Sequence, residues 1–398
     1  MKIGVYGISC SGKDTFIGRL RKIPQMARFR HYRGSALLKE LSRKKFSTSF
    51  QTLSEAAKNK MRKKLAEILC KKDNFLVDGH FAFPIANENG YEIVFTDSDL
   101  NLFDCFVYLK TNASKIKQRL QNSQKNHKFS TLTSEQLHKW QIFEINQLRE
   151  KCFYAKKDFI ILDEDFTSGI SFITDYVHTY PSKTSLKIAA EIVATIKSNK
   201  IALFDCDRTI TIEDTTIPFF KLNSENADSL RTIFTDDVYS TYQFWQQEQL
   251  YRNFSIYPDI SDFHFNPIVI GKLNELKKQG YAIYGLTSGV FHIWQEINNK
   301  ENLFDSLIGN DLKREGYIIS DFVKGYIVKL LQEKGVSVVS VGDSICDIFM
   351  LEESTDGFIY APSKIRPLVQ SYFDMHPKTT IKQFSKNPYK YKGIDLGE

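Results

Sequence analysis

Short apolar runs alternate with amphipathic helical stretches along almost the whole of this 398-residue chain, and that alternation leaves few folds open. A strand that is followed by a helix returns to the sheet parallel to its predecessor, so the pattern calls for parallel sheets with crossover helices. In the first half, strands are expected at Lys2–Tyr6, Asn74–Val77, Cys105–Lys110 and Phe159–Leu162. Helices are expected over Lys13–Lys22, Leu53–Lys71, Ser114–Gln121 and Ser134–Lys151. The second of these sets Leu53, Ala57, Met61, Leu65 and Ile68 at helical spacing, with Arg62 and lysines on the other face. In the second half, strands recur at Lys200–Phe204, Tyr281–Leu286, Ser337–Val341 and Gly357–Tyr360. Between the first two of these lies an insert, about residues 213–270, of helical and aromatic character.

The length suits two or three domains, and Tyr180-Pro181-Ser182-Lys183 reads as a boundary. The expected organisation is a first α/β domain over 1–180 and a linker helix within 181–199. A second α/β domain follows over 200–376, containing the insert, and then a polar, lysine-rich tail over 377–398. Charge divides along the same line. Residues 1–185 carry 31 Lys and Arg against 19 Asp and Glu, whereas the remainder carries 23 against 28. A basic first half favours polyanions such as nucleotides or nucleic acid, although a solvated basic surface has the same composition. No run of 18 apolar residues exists for a membrane-spanning helix, and the N-terminus has no secretory apolar core, so a cytoplasmic protein is expected. The six cysteines contain no C-x-x-C pair, which gives neither a zinc site nor a disulfide framework.

The first strand runs straight into Gly7-Ile8-Ser9-Cys10-Ser11-Gly12-Lys13-Asp14-Thr15. This fits the G-x-x-x-x-G-K phosphate loop in its strand–loop–helix setting. Gly7 and Gly12 let backbone N–H groups, with those of Ser9 and Ser11, turn toward an anion, and the helix N-terminus adds positive dipole. Lys13 supplies a point charge to the β- and γ-phosphates of ATP. The bland alternative is a tight turn with a chance lysine. The usual hydroxyl after the lysine is replaced by Asp14, with Thr15 next. Asp78, at the end of its strand, is placed to orient magnesium or its waters, or else merely caps a turn.

The G-K-x-T arrangement, the order of elements and the segment His31-Tyr32-Arg33-Gly34-Ser35 resemble the short-lid nucleoside monophosphate kinases of the archaeal adenylate kinase type, over about residues 1–180. That resemblance implies ATP and Mg2+ as cofactors, an acceptor-binding segment containing Arg33, and Arg119 on the transferring phosphate. The lid departs from it, since Gln124-Lys125-Asn126-His127-Lys128 has lysines and a histidine where arginines are expected. A lysine lacks the planar fork of an arginine.

The second half ends its first strand in Asp205-Cys206-Asp207-Arg208-Thr209. With a period of two, Asp205 and Asp207 leave the strand on one side and Cys206 on the other, at the strand end where parallel sheets bind ligands. One carboxylate can attack phosphorus while the other handles protons. Leu286-Thr287-Ser288-Gly289, then Val323-Lys324-Gly325, then Gly342-Asp343-Ser344-Ile345-Cys346-Asp347 follow in order. These four motifs resemble the haloacid dehalogenase (HAD) superfamily of aspartate-nucleophile phosphatases, in its phosphoserine phosphatase branch, over about residues 198–375. The resemblance implies Asp205 as nucleophile and Asp207 as general acid and base. It puts Ser288 and Lys324 on the phosphoryl oxygens and Asp347 in support of the site. It gives Mg2+ held by Asp205, the Asp207 carbonyl and Asp343, with Thr209 and Gly289 supporting. The insert falls where that branch carries a helical cap, with Glu213 and Asp214 at its base. Its aromatic residues (Tyr239, Tyr242, Phe244, Trp245, Tyr251 and Phe254) either stack on a substrate ring or form the cap's own core.

The fold expected is therefore α/β, with two parallel-sheet three-layer domains, a P-loop kinase fold and a HAD Rossmann-like fold. The function expected is bifunctional: ATP-dependent phosphoryl transfer to a nucleotide-like acceptor, and Mg2+-dependent hydrolysis of a small phosphomonoester. The alternatives are a polynucleotide 5′-kinase/3′-phosphatase acting on nucleic-acid ends, to which the basic cluster from Arg19 to Lys45 would contribute, and a nucleotide-sensing module that regulates the phosphatase. No membrane partner is expected, and the sequence is silent on oligomeric state.

Overall fold

The computed structural model describes residues 1–85, 90–122, 128–163, 166–224, 229–234, 238–310, 317–362 and 364–384. It divides into two units, Met1–Thr179 and Tyr180–Glu398. The first is built on β1 (Lys2–Tyr6), β2 (Arg30–Arg33), β3 (Phe75–Asp78), the hairpin β4 (Ala82–Pro84) and β5 (Tyr91–Ile93), β6 (Cys105–Leu109) and β7 (Asp158–Leu162). Its five-stranded sheet is parallel throughout, in the order β2-β3-β1-β6-β7. β6 and β7 are buried at every position, as strands covered on both faces must be, and their sequences CFVYL and DFIIL are almost wholly apolar. The tight turn and short helix Lys13–Leu20 carry the chain away from β1, and helix Ser134–Tyr154 precedes β7.

The second unit contains β8 (Lys200–Asp205), β9 (Ala282–Leu286), β10 (Ser306–Ile308), β11 (Ser337–Gly342), β12 (Asp356–Tyr360) and β13 (Lys382–Phe384). They form a parallel sheet in the order β10-β9-β8-β11-β12-β13. Both units are thus α/β with parallel sheets. In each, the first strand in sequence has later strands on both sides, so the order reverses there and the crevice for a ligand opens at its carboxyl end.

Besides the unforeseen hairpin β4–β5 and strand β10, three departures from the sequence expectation bear on the sheet edges and on the division of the chain. β2 has the sequence RHYR, whose polar side chains hide its edge-strand role on β3. The tail expected to be loose supplies β13, hydrogen-bonded to β12, so the sheet runs past residue 376 to Phe384. The helix expected as a linker, Ser185–Thr195, buries Ile188, Ala189, Ile192 and Val193 and lies along helix Asp321–Glu333, which makes it part of the second unit. The insert leaves after Thr211, forms helices Thr216–Asn223, Ser229–Ile233 and Thr241–Tyr251, and returns through a bridge between Thr211 and Phe265. No described helix is long and apolar enough to cross a membrane.

Candidate active sites

At the end of β1 the loop from Gly7 to Gly12 folds back over the start of helix Lys13–Leu20. Gly12 stands at that helix's N-cap with φ +95°, in the left-handed region, and a Cβ there would lie 3.0 Å from the Phe166 ring. The loop is held from behind. Thr111 donates its hydroxyl to Ser11 O at 2.8 Å, and Arg119 Nη1 donates to Cys10 O at 3.1 Å. Gln141 in turn clamps Thr111, accepting from its N–H at 3.0 Å and donating to its carbonyl at 2.9 Å. Lys13 Nζ curls over the loop and donates to Gly7 O and, at 3.0 Å, to Ile8 O. Burial lowers its ammonium to about 8, against the opposing pull of Glu144, Asp78 and Asp14. The buried Ser11 Oγ has no hydrogen-bond partner among the described residues. A glycine-turned loop at a helix N-terminus, a desolvated lysine and an orphaned hydroxyl together fit the phosphates of a nucleotide.

Across the same strand ends, Asp78 pairs in register with Val5 and accepts from Gly34 N–H at 3.1 Å. His31 Nε2 stands 3.7 Å from it. Burial raises the Asp78 carboxyl, but His31, the Gly34 N–H and the charge of Lys13 outweigh that and hold it below its usual value. Exposed Arg33, expected on the acceptor side, lies 3.5 Å from exposed Asp14 of the loop helix, and Thr15 of that helix is exposed as well. Residues 124–127 of the expected lid, His127 among them, fall outside the described residues.

Glu144 was not foreseen. Fully buried, it accepts from Ala82 N–H at 2.9 Å, Phe81 N–H at 3.2 Å and Tyr108 OH at 2.9 Å. Desolvation pushes its carboxyl up to about 7 despite those donors. The signal for it was present: Gln141 and Glu144 are polar residues on the same buried helix face as Leu137, Trp140, Ile145 and Leu148.

In the second unit Lys324 is the centre. Its Nζ donates to Asp205 Oδ1 at 2.6 Å and to Asp347 Oδ1 at 2.8 Å, with the lysine side chain 2% exposed. Burial alone would lower this ammonium, but the two carboxylates raise it well above its ordinary value, so it stays charged. Asp205 accepts from Thr209 Oγ1 at 3.1 Å on its other oxygen. Its carboxyl is pushed well up, first by burial and then by the charge of Asp347. Asp347 is braced by the N–H groups of Asp343 and Ser344 and by the Ser344 hydroxyl at 2.9 Å.

β8 ends at Asp205, and a turn rather than continued strand carries Asp207 to the same cavity, with Cys206 buried and Arg208 in the left-handed region at φ 60°. One oxygen of Asp207 accepts from Thr215 N–H at 2.8 Å and its hydroxyl at 2.6 Å. The other accepts from Trp294 Nε1 at 3.1 Å and Thr287 Oγ1 at 3.3 Å. Burial, aided by Asp214, raises the Asp207 carboxyl to about 6 in spite of these donors. A Cβ on Gly289 would come within 2.6 Å of Asp207 Oδ2, so only glycine permits this approach. Ser288, expected on the phosphoryl oxygens, lines the cavity, and its hydroxyl donates to Ile319 O at 2.7 Å.

Oxygens of Asp205, Asp343 and Asp347 lie within 4.8 Å of one another, close enough to share a metal ion. The Asp207 carboxylate is committed elsewhere, so its expected metal contact rests on its carbonyl alone. Asp343 is pushed up to about 7, chiefly by burial and against the pull of Arg366, which is hydrogen-bonded to it. Three buried carboxylates short of positive charge fit a hard divalent cation such as Mg2+. The cavity above them holds about 510 Å³, roofed by the insert's Phe234, Tyr239 and Phe244. Of the other expected aromatics, Tyr251 and Phe254 pack on Phe219 with ring centroids 5.4 and 5.6 Å apart, Tyr242 is wholly buried, and half-buried Trp245 stacks on Tyr242 at 6.2 Å.

A family model described as an AAA domain matches residues 6–138, the part of the chain that carries the phosphate loop. No curated protein matches the chain. Among solved structures, a phospho-aspartyl intermediate analogue of phosphoserine phosphatase is 18% identical, with 46% of this chain and 93% of that chain covered at a TM-score of 0.35. A HAD family hydrolase from Salmonella enterica is 16% identical, with 48% and 69% covered at 0.37. A shikimate kinase from Bacteroides thetaiotaomicron is 14% identical, with 45% and 98% covered at 0.32. These likenesses are slight, and the chemistry of the two sites rests on the contacts above.

Proposed function

We propose that the second unit is a Mg2+-dependent phosphomonoesterase that works through an aspartyl-phosphate, and that the first is an ATP-dependent phosphoryl transferase for a nucleotide-like acceptor. The observation that carries the first half is the buried bridge of Lys324 between Asp205 and Asp347. It holds Asp205 at the floor of the cavity with an adjacent cation for developing negative charge. Asp205 attacks phosphorus, and the bond to the leaving oxygen breaks as Asp207 gives that oxygen a proton. Asp207 then takes a proton from the water that attacks the aspartyl-phosphate, releasing phosphate and restoring the free carboxylate. A carboxyl that titrates near 6 serves both steps at neutral pH. Asp205, Asp343 and the Asp207 carbonyl would hold Mg2+, which offsets the charge on the phosphoryl group. The roof of aromatic residues over a cavity of about 510 Å³ favours small phosphorylated substrates over a polymer end.

In the first unit, the amides of residues 7–13 and the Lys13 ammonium would hold the ATP phosphates, and Arg119, already at the loop, would steady it. Arg33, His31 and Asp78 line the side from which an acceptor approaches. With full-length protein and Mg2+, Asp205→Asn should abolish hydrolysis of p-nitrophenyl phosphate and leave ATP binding unchanged, whereas Lys13→Ala should weaken ATP binding at least tenfold and leave hydrolysis intact. Retained turnover in Asp205→Asn would refute the nucleophile.

A further inference from the structure

A second cavity, of about 570 Å³, lies against the one that holds the aspartates, and the two share three lining residues, Arg208, Asp343 and Arg366. One wall is the pair of crossings that carry the insert. Ile212 leaves and Asn266 returns, tied by Ile212 N–H to His264 O and Asn266 N–H to Ile210 O, both at 2.8 Å. The opposite wall is the end of β12 and the segment after it, with Ile359, Lys364 and Ile365. The sides are mostly aliphatic, and Ile212 is 58% exposed at this cavity, a surface that folding alone leaves unused. The charges are lopsided: Arg208, Lys364 and Arg366 face one carboxylate, Asp343, which Arg366 already holds. Such a chamber suits a ligand with a flat or hydrocarbon body and one anionic end.

We propose that this cavity is a binding site for a small amphipathic acid, whose anionic group draws Arg366 away from Asp343. The inference rests on Asp343 being a metal ligand in the phosphatase reading. Arg366 and a divalent cation both seek the same carboxylate oxygens, so Arg366 in place opposes the metal and Arg366 withdrawn admits it. The acid and the cation therefore strengthen each other's binding by the same factor. Arg208, ion-paired with Asp214 at 3.2 Å, stands at the shared wall and adds positive potential without leaving its partner.

The test uses the full chain and 2-naphthoate as the acid, followed by calorimetry. Mg2+ and trifluoroberyllate are present at saturation, so that the nucleophile's cavity is filled. One equivalent of naphthoate should still bind, and Ile212→Glu and Lys364→Gln should each weaken it at least tenfold, without changing hydrolysis of p-nitrophenyl phosphate measured in the absence of the acid. In a separate Mg2+ titration, naphthoate should lower the apparent Mg2+ Kd severalfold in the wild type. In Arg366→Gln, Mg2+ should bind more tightly from the start and no longer respond to naphthoate. Absent binding, displacement by trifluoroberyllate, indifference to both cavity variants, or an Mg2+ affinity that naphthoate leaves unmoved would each overturn the proposal. A wild-type chain with no Mg2+-dependent hydrolysis would instead overturn the phosphatase reading, and naphthoate binding, followed by heat and not by turnover, is scored separately from that result.

Discussion

Asp207 illustrates how far a single residue's chemistry is set by neighbours that a motif does not contain. The D-x-D-x-T spacing identified both aspartates, and Thr209 with them. It did not reveal Thr215, Thr287 and Trp294, which supply four of the donors on Asp207 from 8, 80 and 87 residues away. Trp294 is wholly buried and reads in sequence as ordinary core. Arg366 was invisible for the same reason, since its bond to Asp343 exists only once β12 and β11 are side by side. The donors matter because each stabilises the ionised carboxylate and so works against burial. If Asp207 gives the leaving group its proton, as proposed, it must start protonated, and kcat/KM should fall as pH rises through its value in the free enzyme, near 6. Thr215→Val removes one donor to the charged form and raises that value. The alkaline limb of the pH–rate profile for an alkyl phosphate such as glycerol 2-phosphate, whose leaving oxygen needs a proton, should therefore move to higher pH, by roughly half to one unit for a lost hydrogen bond of this kind. A limb that stays put, or moves down, would mean that another group gives the proton.

At the scale of elements, the strands with apolar sequences were legible almost to the residue, and those whose burial is partial were not. β1, β6 and β8 begin where their hydrophobic runs begin, because a strand covered on both faces has no other composition available to it. β2, β10 and β13 lie toward sheet edges, are three or four residues long, and take their identity from the neighbour that they bond. Helix Ser134–Tyr154 shows a different limit: its length and its Thr133 capping box are local, but the purpose of Glu144 is not. That carboxyl ties β4 and Tyr108 of β6 to the helix at the cost of desolvation, which places it at about 7 in the folded chain against 4.5 as an ordinary glutamate. The folded state then holds a proton that the unfolded chain has released. Glu144 accordingly favours folding below about pH 4.5, and this contribution is lost as pH rises to 7, by up to about 3 kcal/mol. Glu144→Gln keeps an acceptor for the Phe81 and Ala82 amides and does not titrate. In urea unfolding followed from pH 5 to 8, stability should fall with rising pH more steeply in the wild type than in the variant, and parallel slopes would show that Glu144 is not the group responsible.

For the molecule as a whole, what the sequence carried was the repetition of one device: a parallel sheet whose first strand lies between later strands on both sides, with its chemistry at that strand's carboxyl end. β1 delivers the phosphate loop and β8 delivers Asp205. Every hydrogen bond described around Lys13 comes from within Met1–Thr179, and every one around Lys324 from within Tyr180–Glu398. The helix Ser185–Thr195 decides where the chain can be divided. Its buried face of Ile188, Ile192 and Val193 lies on helix Asp321–Glu333, which carries Lys324, so a cut made after that helix would strip apolar cover from the helix that positions the central lysine. Expressed separately, residues 1–179 should bind ATP and residues 180–398 should hydrolyse p-nitrophenyl phosphate with Mg2+, each within severalfold of the intact chain. A fragment that begins at residue 200 should unfold at a lower temperature and lose hydrolysis with it. If the fragment from 180 were inert while the one from 200 worked, the helix would be a tether after all, and the phosphatase would begin where the sequence first suggested.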